Sequence, residues 1–148
     1  MNKEFVMRGQ TASGETEILN FSGNKPGYAY RLVEFQLYPS TNLPGVDVEM
    51  TASITAGKTA IAPTDVNFNT EGLIGTAFLQ SNASSTRLQS DLIVINDTFL
   101  ITQNLILMVM NSAGSNEPVN WQCRFVAEKM SKSEEAVTNY KQYTISDE

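Results

Sequence analysis

The stretch Val46-Asp-Val-Glu-Met-Thr-Ala-Ser-Ile-Thr55 decides the fold. Val46, Val48, Met50, Ala52 and Ile54 alternate with Asp47, Glu49, Thr51, Ser53 and Thr55. Successive side chains of an extended chain point to opposite sides, so this period of two gives a strand with one apolar and one polar face. The pattern recurs on both flanks. Between Tyr30 and Tyr38, Val33, Phe35 and Leu37 fall on one face and Glu34 and Gln36 on the other, and the run stops at Pro39-Ser40. Val119, Trp121, Cys123, Phe125 and Ala127 are set against Asn120, Gln122, Arg124 and Glu128. Weaker runs are Phe5–Arg8, Thr16–Phe21, Leu73–Leu79, Arg87–Ile95, Phe99–Thr102 and Leu105–Met110.

Segments rich in Gly, Pro, Asn and Ser (residues 22–27, 39–45, 81–85 and 111–118) separate these runs. Eight or nine short strands with no helical period between them predict an all-β antiparallel sandwich of the single jelly-roll type, since parallel βαβ units would need crossover helices. Val33, Phe35, Leu37, Val48, Met50, Ile54, Trp121, Cys123 and Phe125 form the expected core. Residues 1–130 make up the sandwich domain. In residues 131–148, early carboxylates at Glu134 and Glu135 and apolar positions at Ala136, Val137 and Tyr140 predict a short helix that ends near Tyr140. The remainder, Lys-Gln-Tyr-Thr-Ile-Ser-Asp-Glu, fits an extended arm or a frayed tail.

The composition closes several function classes. The 148 residues are 41% hydrophobic and 18% charged, a globular balance, and a chain of this length buries roughly two-thirds of its unfolded surface in one domain. A single cysteine rules out an internal disulfide, and the lack of histidine removes the commonest metal ligand and general base. The net charge of −6, with Lys58 the only basic residue between Phe35 and Thr86, argues against nucleic acid. Residues 1–20 hold no apolar run of signal-peptide length and Leu105–Met110 is far short of a membrane span, so the chain is expected to fold in a cytoplasm without membrane contact.

Few motifs point to chemistry. Ala52-Ser-Ile-Thr-Ala-Gly-Lys-Thr59 has a permissive phosphate-loop spacing, but Ala52 and Ile54 belong to the alternating strand and Pro63 interrupts any helix that would follow. Asp91, Asn96, Asp97 and Thr98, with Asp47 or Asp65, could offer oxygens to Ca²⁺, although their spacing is that of a turn between strands and not of an EF-hand loop. Cys123 lies between Trp121 and Phe125 on an apolar face and reads as core. No cofactor, metal site or catalytic set is expected. Two acids brought together could still serve a glycoside hydrolase, and exposed Tyr28, Tyr30 or Tyr38 could stack on sugar rings in a carbohydrate-binding sandwich.

Leu105-Ile-Leu-Met-Val-Met110 is apolar on both faces, and such a strand must be covered on both sides. One cover is the core; the other is the terminal helix or a neighbouring subunit. Ile106, Met108 and Met110, with Tyr140, Tyr143 and Ile145 of the C-terminal segment, are therefore the candidate subunit contacts.

Ser90-Asp-Leu-Ile-Val-Ile-Asn-Asp-Thr-Phe-Leu-Ile-Thr-Gln-Asn104, then a strand, a Gly/Ser/Asn turn, Val119-Asn-Trp-Gln-Cys-Arg-Phe-Val-Ala-Glu-Lys129 and a short helix resemble the single jelly-roll virion structural proteins of marine bacterial viruses. The resemblance covers residues 73–140. It implies a non-enzymatic capsid or capsid-associated subunit that packs against copies of itself and other virion proteins, and resides in the host cytoplasm before assembly. Shell subunits that touch the genome often carry a basic N-terminal arm, whereas this chain begins Met-Asn-Lys-Glu-Phe-Val-Met-Arg, which fits a shell, cement or decoration role without genome contact.

Overall fold

In the computed structural model the described residues are 3–21, 26–41, 47–57, 59–82, 88–112 and 117–146; for Asn82, Leu88, Gln89, Tyr140 and residues 142–146 only the backbone is described. Alternating apolar residues become eight strands: β1 (Glu4–Thr11), β2 (Thr16–Leu19), β3 (Tyr28–Pro39), β4 (Val48–Ala56), β5 (Leu73–Asn82), β6 (Leu88–Ile95), β7 (Leu105–Asn111) and β8 (Val119–Lys129), followed by helix α1 (Lys132–Ser146). They form two antiparallel sheets, β1-β8-β3 and β2-β7-β4-β5-β6. The hydrogen-bonded pairs β1·β8, β2·β7 and β4·β5 are nested, first with last, as in a long hairpin rolled up on itself. This is the jelly-roll arrangement. Its remaining pair, β3·β6, is not hydrogen-bonded; β6 pairs with β5 and extends the larger sheet.

The inner faces supply the core. Met50, Ala52 and Ile54 of β4 and Leu105, Leu107 and Val109 of β7 pack with Leu32, Phe35, Cys123 and Phe125 of the smaller sheet, all at 1% exposure or less. At one end the rings of Phe5, Phe21, Tyr30 and Phe125 lie with centroids 5.1–6.1 Å apart, a spacing that favours edge and offset contacts. β3 packs over β5, where the missing Cβ of Gly75 admits Leu32, and reaches the edge strand β6.

Three expectations are corrected. Val33 is not core: it is the extra residue of a β-bulge, with Leu32 opposite Phe125 and Glu34 opposite Arg124, so the buried phase changes from Leu32 to Phe35 and Val33 turns to solvent. Phe99–Thr102 forms no strand, because only Ile101 finds a partner, in a single bridge to Tyr30. The helix does not stop at Tyr140 but runs through Ser146. Ser131 caps its start, accepting from the Glu134 amide at 3.2 Å and donating to the Glu134 carboxylate at 3.0 Å, and no Gly or Pro interrupts the following fifteen residues. Asp147 and Glu148, like Val46 and Lys58, lie outside the described residues.

Candidate assembly surface

The outer face of the five-stranded sheet follows from the strand registers. One row across it reads Met110, Thr51, Phe78, Leu92; the next reads Thr16, Met108, Ser53, Thr76, Val94; a third begins Ile18, Ile106, Thr55. Not one of these twelve residues is charged. Ile18 and Leu92 are each 66% exposed and Val94 46%, whereas Ile106, Met108 and Met110 are half-buried. The expected contact residues of β7 are thus brought together on one outward face. Of Tyr140, Tyr143 and Ile145 the structure gives the backbone only, on α1.

Part of the cover over this face comes from neither of the two sources expected. The connection of residues 59–72 crosses it, with Ser53 Oγ donating to the Ile61 carbonyl at 2.5 Å and Pro63 buried. Among the strands, α1 approaches β4. Phe68 of the same connection is 66% exposed and shares a depression of about 200 Å³ with Val94 and Ile95. Leu92, Val94, Phe78 and Ile18 were not singled out by the sequence reading. A signal for the first two was present, since Leu92-Ile-Val-Ile95 is apolar on both faces just as Leu105–Met110 is.

A groove of about 860 Å³ opens between β3 and β6, lined on its inner walls by Leu37, Leu79, Ile93 and Trp121. Arg31 Nη1 donates to the Asp97 carbonyl at 3.2 Å and pins the seam at its far end. Arg31 also pairs with Glu128, at 3.2 Å between Nη2 and Oε1, which holds the Glu128 carboxyl below the usual carboxylate range and the guanidinium above its own. Tyr28, Tyr30 and Tyr38 do not make one sugar platform. Tyr30 is part of the aromatic cluster, and the bulge at Val33 turns Tyr38, 60% exposed, to the opposite face of the sheet.

The remaining motifs resolve into structure. Residues 52–56 of the phosphate-loop spacing lie inside β4, and among the described residues no helix opens directly after them. Asn96 Oδ1 accepts from the Thr98 amide and hydroxyl at 3.3 and 2.8 Å, which makes the segment a turn. Asp91 stands on β6 and Asp97 in the turn beyond its end, with about 13 Å of strand between Asp91 and Ile95, so the two do not converge. Among the described residues no three acidic or cysteine side chains cluster as metal ligands. Cys123 is fully buried, and burial pushes its thiol far up, leaving no thiolate to react. No helix among the described residues is long and apolar enough to cross a membrane. The chain matches no protein-family model, and no curated protein is significantly similar to it.

Proposed function

We propose that this chain is a non-enzymatic structural subunit of a virion, in a shell, cement or decoration role, whose work is assembly with copies of itself and other virion proteins. The observation that carries this reading is the run of three uncharged rows on the outer face of the five-stranded sheet, with Ile18 at one edge and Leu92 and Val94 at the other open to solvent on a jelly-roll frame. Val94 and the exposed Phe68 are neighbours there, and grouped exposed apolar side chains on a folded domain mark an interaction site. The resemblance of residues 73–140 to virion structural proteins supports the same reading, while the acidic balance suits contact with protein and not with genome.

Light scattering coupled to size-exclusion chromatography, over a concentration and salt series, tests it. Oligomers or particles are expected; a monomer under every condition overturns self-assembly. Polar substitution at Met108 and Tyr143 together is expected to weaken association while the far-ultraviolet circular dichroism stays unchanged. A carbohydrate-binding module is the second reading, supported by exposed Tyr38 at the β3/β6 groove, and binding of the monomer to a glycan array would favour it.

A further inference from the structure

We infer that the free edge of β6 is a strand-pairing interface for a second copy of this chain, joining two five-stranded sheets into one of ten strands. This rests on the reading of the chain as an assembly subunit and names one of its contacts. The two sheets leave four outer strands, and three of them are blunted. β1 carries Glu4 and Arg8, and Glu4 is tied to Arg124 at 3.6 Å. β2 is four residues long with Glu17 on its inner face. β3 has the bulge at Val33, Pro39 at its end and a bridge to Ile101. Short length, charge, bulges and proline are the ways in which natural sheets prevent edge pairing. β6 has no bulge and no proline, and Leu92-Ile-Val-Ile95 is uncharged, with Leu92, Ile93 and Val94 exposed on both faces.

The register follows from the backbone. The Asn96 amide donates to the Ile74 carbonyl at 2.8 Å, so alternation along the antiparallel ladder points the amides and carbonyls of Val94 and Leu92 at β5 and those of Ile95, Ile93 and Asp91 away from it. Among the described residues no strand takes up these outward groups. A two-fold axis beside Ile93 satisfies them reciprocally. Ile93 exchanges two hydrogen bonds with its copy, Asp91 falls opposite Ile95 of the second copy, and Leu92 meets Val94 at the close, non-hydrogen-bonded positions.

The strand is self-complementary in this register. Asp91, its one charge, never faces itself: the two copies lie four residues apart along the pair, about 13 Å, beyond the screening length of physiological salt. Each Asp91 remains beside the open β3/β6 groove and keeps its water. On the outer side, Leu92 and Val94 of both copies merge with Phe78 and Phe68 into one apolar strip, continuous with the proposed assembly face.

The test is a pair of double variants whose association is measured by sedimentation velocity. Leu92→Lys with Val94→Lys sets two pairs of like charges opposite each other and is expected to weaken the dimer at least about tenfold. Leu92→Lys with Val94→Glu carries equal polarity but sets opposite charges face to face, and is expected to recover most of that loss. Both substituted side chains are exposed, and unchanged thermal unfolding confirms the fold. If the wild-type chain associates and both variants associate equally well, or both lose association alike, the β6 register is wrong while the assembly reading stands. If the wild-type chain is monomeric throughout, both are overturned.

Discussion

Gly9 of β1 lies directly opposite Trp121 of β8, and the indole lies across the space a side chain would occupy: a Cβ at Gly9 would sit 2.9 Å from Trp121 Cζ2 and 3.3 Å from Cε2. Real carbon contacts do not come that close, so Gly9→Ala must displace the ring. Trp121 Nε1 donates to Thr11 Oγ1 at 2.9 Å in a buried bond, and the ring is 8% exposed. If the ring stays, the added methyl overpacks the site, at about 1–3 kcal/mol. If it swings into the adjoining groove, a buried donor loses its acceptor, again at ~1–3 kcal/mol. Either route predicts a loss of that order. For a chain of this size it corresponds to a fall in midpoint of roughly 2–10 °C. Trp121 is the only tryptophan, so its emission reports the same event. Urea unfolding of Gly9→Ala followed by fluorescence should give a lower midpoint and a red-shifted native spectrum. Ordinarily, replacing glycine by alanine at a compatible site stabilises a protein through its unfolded state. Equal or greater stability with an unchanged spectrum would therefore refute the close approach.

Two further outcomes follow from the structure. Val33→Lys should change the unfolding free energy by less than about 0.5 kcal/mol, whereas Leu32→Ala next to it should cost ~2–5 kcal/mol, a contrast that chemical denaturation resolves and that a regular strand would reverse. Because Arg31 holds the Glu128 carboxyl below its unfolded value, the pair adds stability above the ordinary glutamate range, and that stability is lost as pH falls through the folded value. The partners are about a third exposed, so Glu128→Gln should cost no more than ~1 kcal/mol at neutral pH, with the two proteins converging in acid; parallel stability curves would sink this account.

What the sequence reveals and conceals here divides along local and non-local physics. The alternation of residues 48–55 and 119–127 determines which side chains enter the core because the period of a strand is a local property, and β4 and β8 follow it. Val33 defeats the same rule because a bulge is set by the partner strand: the phase slips where β8 passes from Phe125 to Arg124, and nothing in Leu32-Val33-Glu34 announces it. Phe99–Thr102 has strand-like composition but no partner beyond Tyr30. The double apolarity of β7 puts Ile106, Met108 and Met110 on the outer face, where they are half-buried, while the connection that crosses beside them at Ser53 carries no pattern of its own. The exposure of β6 arises because it ends the larger sheet, and which strand stands at an edge is a property of the whole topology.

The nesting of first strand with last also governs how the chain reaches this state. In the smaller sheet β1 and β3 are not hydrogen-bonded to each other; β8 lies between them and is made after both. At typical synthesis rates roughly 6–24 s separate the first residue from residue 119. Until β8 arrives, Phe5, Leu32 and Phe35 have no sheet to belong to, whereas β4 and β5 can already form a hairpin. The smaller sheet therefore forms only after Val119–Lys129 is made, and slowly, because its contacts span most of these residues. A nascent chain halted before Val119 would expose apolar strands with unsatisfied edges, a species that sticks to its neighbours long before it can recognise the correct one.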